Sequence, residues 1–362
     1  MSSIEGTAGL GPRARRGRHL QEAPSELWAA VDRVVDRAPS LADLSSHRLE
    51  LLAARLWRSQ GLSVPPEIVD KERRAAVVQL AAPVLLARVR AAYDGELVLL
   101  KGLEVARRYP ESGLRTFGDV DLLADDAPSA QRALLAAGFQ EVGDPNLYED
   151  IHHLRPLQWP DLPLVVELHS RPKWVEGVAP PPATADLLAA AVPGPHGFGV
   201  LPPAHHALLL AVHSWAHEPL RRLRDLVDVA AVVEAAGGAD VAALARDWRV
   251  ERLWRATVAA SDAILYSRRR PLTLRLWAQN LEAARERTVL ENHLQRWFSD
   301  FWIMPAHRAL ARVPATLASE LSPERGEGWG AKLSRSGRAI RNANRRRSEH
   351  DEELVRRKRS EP

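Results

Sequence analysis

Apolar runs of strand length fall only between residues 96 and 170 of this 362-residue chain, and on either side apolar residues recur at helical spacing. That confinement dictates one small sheet, of about four or five strands, buried by helices that precede and follow it. Before it, Ser25-Glu26-Leu27-Trp28 opens one helical run and Leu41 to Leu56 forms another. Pro65-Pro66 interrupts the pattern, and residues 67–93 read as one long helix feeding a strand at 96–101. Asp126-Ala127-Pro128 sets up a helix over 128–137 that Gly138 closes. Phe139 to Val142 reads as a strand, and His153 to Trp159 with Leu164 to Leu168 as a strand pair turned at Pro160-Asp161-Leu162-Pro163. Segments 204–217, 219–236, 239–266 and 272–309 are helical, separated by Pro or Gly. The fold class expected is α/β (α+β): a mixed-sheet core, flanking N-terminal helices, and a C-terminal helical bundle walling one side of a cleft. The divisions expected are a disordered basic arm (1–20), N-terminal helices (21–93), the core (94–178), a Pro-rich linker (179–203), the bundle (204–310) and a basic, largely disordered tail (311–362).

Apolar content of 46% suits a globular protein, and no contiguous apolar run approaches the length of a membrane span. Residues 1–20 are Arg-rich but lack the apolar stretch of a secretory signal. The absence of cysteine excludes disulfides and thiolate metal sites, and a cytoplasmic location is the expectation. The net charge of +4 hides an asymmetry. Residues 331–362 hold 11 Lys/Arg against 5 Asp/Glu, and residues 1–20 hold 4 Arg against 1 Glu, which leaves the body at −5. A mildly acidic body is not the footprint of a nucleic-acid groove. The basic ends are expected to be solvated, with at most weak contacts to nucleic acid or an acidic partner.

The stretch 96–124 carries the chemistry. Asp119 and Asp121 stand at i and i+2 on a strand, so they share a face while Val120 points into the core. Two like charges side by side are costly unless a cation lies between them. A divalent metal carrying the phosphates of a nucleotide is the usual answer. Upstream, Lys101-Gly102 ends a strand, and a helix opening at Gly102 offers free N–H groups to those phosphates. A third carboxylate completes the pattern: Glu167 interrupts the apolar run Leu164-Val165-Val166-Glu167-Leu168-His169. A buried acid needs a partner or a metal. The alternative for Glu167 is an ion pair with Arg171 at a strand end. Lys101 is placed to contact phosphate, or else to pair with Asp119 or Asp121. Arg115 is placed to clamp phosphate, or else to lock its loop through a salt bridge.

Further along, His206, His213, His217, Arg221, Arg224 and Asp228 lie at helical spacings, broken at Pro219. They face either the cleft or solvent. His213 and His217 have the i, i+4 spacing of a zinc pair but lack the Glu that metalloproteases place after the first His. His152, His153 and His169 read as satisfied core or rim histidines rather than bases. Trp159 and Trp174 lie close to the site segments.

Ordered motifs now accumulate: Leu-Leu-Lys-Gly (99–102), Arg-Tyr-Pro (108–110), Gly-Leu-Arg (113–115), Gly-Asp-Val-Asp-Leu-Leu (118–123) and Val-Glu-Leu-His (166–169). Leu-Pro-Pro-Ala-His-His (201–206), His213 and Arg-Leu-Arg-Asp-Leu-Val-Asp (222–228) continue them. Over roughly 80–310 the chain resembles the uncharacterised nucleotidyltransferase family of bacteria, related in fold to the minimal and aminoglycoside nucleotidyltransferases. The resemblance implies a metal set of Asp119, Asp121 and Glu167 holding Mg²⁺ or Mn²⁺. It also implies an NTP substrate, with Lys101, Gly102, Arg115, His213 and Asp228 on the nucleotide-binding side. One departure is that Leu103 follows Gly102 where the wider superfamily has Gly-Ser or Gly-Gly.

The function so implied is metal-dependent transfer of an NMP from an NTP to a hydroxyl or similar acceptor, with release of pyrophosphate. The acceptor is a small molecule, a peptide or a protein, with no membrane involved. The alternative is a catalytically inactive relative that binds a nucleotide or a partner. The two diverge on whether Asp119, Asp121 and Glu167 all lie within reach of one metal, with Glu167 facing the Asp pair. A kinase-like reading fails, because no Gly-rich loop precedes Lys101 and no Asp-Phe-Gly follows Asp225.

Overall fold

The computed structural model describes residues 25–148, 151–175, 177–236, 240–323 and 327–352. The basic arm at 1–20 and the end of the tail lie outside the described residues. The sheet contains β1 (Leu97–Leu99), β2 (Asp119–Ala124), β3 (Gln140–Glu141), β4 (Leu157–Gln158), β5 (Val165–His169), β6 (Val192–Pro193) and β7 (Gly199–Val200). Their order is β3-β4-β5-β2-β1-β7-β6. The sheet is mixed: β2 runs antiparallel to β1 and parallel to β5, and β1 runs parallel to β7.

Strand alternation sorts the side chains into two cores. Val120, Leu122 and Ala124 of β2 join Leu97, Leu99, Val166 and Leu168 on one face. Leu85, Leu86 and Val89 of the helix Pro66–Ala92 cover that face. That helix is long and apolar enough to cross a membrane by length and composition alone; here its inner residues are fully buried beneath the sheet. Val98 and Leu123 point the other way, into the core built by the helices Pro203–His217, Leu223–Ala235 and Glu251–Leu265. Asp119 and Asp121 share the Leu123 side, so they open toward the helical bundle.

Three expectations are corrected. The stretch 179–203 is more than a linker, because it holds the helix Thr184–Ala190 and strands β6 and β7, and Val200 pairs with Leu99. Two-residue strands are too short to show a period, so the sheet has seven strands rather than four or five. The helical stretches 239–266 and 272–309 are each broken into shorter helices, with left-handed turns at Arg249 (φ 57°) and Ala284 (φ 47°). Neither residue type signals such a turn.

The tail at 311–362 is ordered over much of its length. Helices Ala306–Leu321 and Trp329–Arg341 occupy it, and the backbone N–H of Val289 and Leu290 donate to the carbonyls of Arg345 and Ala343. Arg346 donates to the fully buried Asp43 at 2.8 Å, and Arg347 pairs with Glu218 at 2.9 Å. A buried carboxylate left without a partner is expensive. Arginines that look like a solvated charge run are therefore counter-ions for acids of the body.

Candidate active site

The register of β2 on β5 builds the site. Asp121 lies beside Glu167 and Leu123 beside His169, in parallel strands, so Asp121, Glu167 and His169 emerge on one face. One ligand atom from each of these three lies within 4.8 Å of the others. Asp121 is 1% exposed. Its Oδ1 accepts from His169 Nε2 at 3.2 Å and pairs with Lys101 Nζ at 3.1 Å, while its Oδ2 is buried without a hydrogen-bond partner. Glu167 therefore faces Asp121, and its Oε2 lies 3.8 Å from His169 Nε2 and 3.9 Å from His153 Nε2.

The expected trio of Asp119, Asp121 and Glu167 is thus not the group that converges. Among the described residues it is Asp121, Glu167 and His169. Asp119 sits half-buried at the mouth of β2, paired with Val165, one strand step farther out on the same face. His169 repeats the i, i+2 logic of the Asp pair two residues after Glu167. Alternation along β5 would have found it, and its aromatic, weakly charged character let it pass as a core histidine.

The electrostatics separate the two central acids. Burial pushes the Asp121 carboxyl up, but the Lys101 ammonium and the His169 hydrogen bond outweigh it and hold the group well below the usual carboxylate range. For Glu167, burial and then the neighbouring Asp121 and Asp119 all act upward, to about 7. Burial, with Lys101 adding to it, keeps His213 neutral, and Lys101 Nζ donates to its Nε2 at 3.2 Å. Burial and then the Lys101 charge also lower Lys173, whose Nζ lies 3.3 Å from His217 Nδ1. Lys101, His169, Lys173 and His213 share a small cavity of about 20 Å³. Lys173 carried no signal in the sequence.

Gly102 takes φ +61°, and a Cβ there would stand 2.9 Å from the Asp119 carbonyl oxygen, so only glycine lets the turn lie against β2. The helix it opens, Leu103–Ala106, is a single turn. Its dipole is accordingly small, and the phosphate argument rests on Lys101 more than on the helix.

Arg115 and Asp228 are placed differently from expectation. Arg115 Nε and Nη2 fork onto Asp228 Oδ1 and Oδ2 at 2.9 and 2.8 Å, and Tyr109 donates to Oδ1 at 2.6 Å. Both side chains of the ion pair are 6% exposed. Neither is presented to a nucleotide; the salt-bridge alternative is the observed one. The pair still serves the site, because Arg115 Nη1 donates to the Gly102 carbonyl at 3.2 Å and so pins the turn after Lys101. His206 is likewise internal, bonded to the Leu100 carbonyl at 2.7 Å. Trp159 packs on Phe139 beneath Arg88, while Trp174 meets Trp248 edge-on.

No curated protein and no solved structure matches the chain significantly. A family model described as an uncharacterised nucleotidyltransferase does match, over residues 40–265, a span that takes in every residue of the site. With more than half of its length covered, the chain belongs to this nucleotidyltransferase family.

Proposed function

We propose that the protein transfers an NMP from an NTP to an acceptor hydroxyl, assisted by Mg²⁺ or Mn²⁺. One observation carries the metal dependence: Asp121 Oδ2 is buried with no partner, beside Glu167 and His169. A buried carboxylate oxygen without a hydrogen-bond partner, in a convergent acid–imidazole set, fits a cation's ligand sphere. Asp121, Glu167 and His169 would hold the cation, with Asp119 at the mouth of the same face. When bound, it would neutralise phosphate charge and acidify the acceptor hydroxyl.

The side chains divide the remaining work. Glu167, on the same face as Asp121, is placed to take the acceptor's proton. The acceptor oxygen then bonds to the α-phosphorus, the bond from that phosphorus to the bridging oxygen breaks, and its electron pair leaves with pyrophosphate. Lys101 pairs with Asp121 at 3.1 Å, and a cation held by that acid would leave its ammonium to the triphosphate. His213, neutral, accepts from Lys101 and steers it. Lys173 adds a second cation on the same rim. The partners in this reading are an NTP and a hydroxyl-bearing acceptor, in the cytoplasm.

Incubation with each α-labelled NTP, Mg²⁺ or Mn²⁺ and a cell extract tests the proposal. Labelling of an extract component is expected, with loss in Asp121→Asn. No labelling with any NTP and either metal would refute it.

A further inference from the structure

A groove of about 930 Å³ lies where residues 171–175 and 177–181 run along the helical bundle. Among the described residues its walls carry Arg171, Arg246, Arg249, Arg252 and Arg308 against one lining acid, Glu251. Two of these guanidiniums brace the walls: Arg252 donates to the Met304 carbonyl and Arg308 to that of Val178. Arg246 comes no closer than 3.9 Å to Asp240. Among the described residues, no carboxylate pairs with Arg171, Arg249, Arg252 or Arg308. So much positive charge in one concavity is unfavourable without an anion. Trp174, also in the wall and 7% exposed, has an indole N–H without an acceptor.

The groove is joined to the site by four consecutive residues. Pro172 and Lys173 line the small cavity with Lys101, His169 and His213, while Arg171 and Trp174 line the groove. Arg171 follows His169 by two residues at the end of β5. The volume falls in the range of small-molecule sites, roughly 300–1,000 Å³. Guanidinium forks match phosphate oxygens two at a time, and a phosphomonoester brings nearly two negative charges in a small volume.

We propose that this groove is the acceptor subsite and takes a phosphorylated small molecule, an inference that rests on the nucleotidyl-transfer reading for the word acceptor. The phosphate lies among the arginines, and the hydroxyl to be modified lies toward Lys173 and Glu167.

Calorimetry in EDTA, with ribose 5-phosphate, ribose and inorganic phosphate as probes, tests binding without the metal or the reaction. Ribose 5-phosphate is expected to bind and ribose to give no heat. The double variant Arg171→Gln/Arg249→Gln should weaken binding by at least about tenfold, the loss of one to two charge-assisted contacts, with an unchanged melting curve. Arg268→Gln, at an exposed arginine outside both cavities, should bind as the parent does. Equal binding of ribose and ribose 5-phosphate, no heat with ribose 5-phosphate, or loss in Arg268→Gln but not in the double variant would overturn the site. Inorganic phosphate binding as tightly as ribose 5-phosphate would reduce it to an anion site and overturn the acceptor role. In the labelling assay, extract pretreated with phosphatase should lose its labelled product, and survival of the label would also overturn that role. Absence of label in untreated extract would instead fall on the transfer reading, and leave the calorimetry standing.

Discussion

Replacing Glu167 by Gln should stabilise the metal-free protein, and only at neutral to alkaline pH. The Glu167 carboxyl is raised from 4.5 to about 7 by burial and by Asp121 and Asp119. A raised acid binds its proton more tightly in the folded state. Its contribution is therefore fully present below about pH 4.5 and is lost as the pH rises through 7, where folding must hold an unwelcome charge. Each pH unit of displacement is worth about 1.4 kcal/mol, so the ceiling is roughly 3 kcal/mol. The side chain is 20% exposed and Lys173 lies nearby, so about 1–2 kcal/mol is the working figure. Gln keeps the shape and removes the charge. Urea denaturation in EDTA should show Glu167→Gln more stable than the parent by that amount at pH 8, with the gain shrinking to within about 0.5 kcal/mol near pH 4.5. Added Mn²⁺ should raise the melting temperature of the parent and not of the variant. A variant less stable than the parent at pH 8, or a gain independent of pH, would refute the argument that repulsion and burial set this group.

Other perturbations should separate the neighbours. Asp121→Asn should destabilise the metal-free fold, by about 3–5 kcal/mol, because it strands Lys101 and His169 in a buried setting; relief of carboxylate repulsion, the simpler expectation from two adjacent acids, would appear as a stability gain in urea. Asp228→Asn should cost a similar amount, about 3–5 kcal/mol, since it unpairs the buried Arg115 fork, and limited proteolysis should then cut near the Lys101-Gly102 turn. Isothermal titration should find Mn²⁺ bound more tightly than Mg²⁺, and the preference should vanish in His169→Ala, because the imidazole favours the later metal. Deleting 331–362 should lower the melting temperature by several degrees, at about 2–4 °C per kcal/mol, because Asp43 loses Arg346; scanning calorimetry that shows no change would mean the tail does not contribute to stability.

What could be read from the chain alone follows a physical line. Asp119, Asp121 and Glu167 were legible because each places a charge inside a strand-length apolar run, and alternation then assigns its face. The meeting of Asp121 and Glu167 across β2 and β5 needs only neighbouring strands, which a parallel pairing supplies, while Asp119 stays one step out. His169 obeys the same alternation but violates no apolar pattern, so nothing drew attention to it. Arg115 and Asp228 are 113 residues apart, and no local spacing reveals whether a guanidinium will meet a phosphate or a carboxylate of its own chain. Arg346 and Asp43 show the same limit over 303 residues.

The charges around Asp121 give the site a common logic. Metal-free, the carboxylate is neutralised by Lys101, with His169 as hydrogen-bond donor. Glu167, beside that acid, is raised to about 7 by burial and by the charges of Asp121 and Asp119. A divalent cation held between the two acids would relieve both at once. In the proposed reaction it would leave the Lys101 ammonium to a phosphate and Glu167 without its proton, so one ligand would serve both roles. Lys101, paired with Asp121, lines the small cavity of about 20 Å³ beside it.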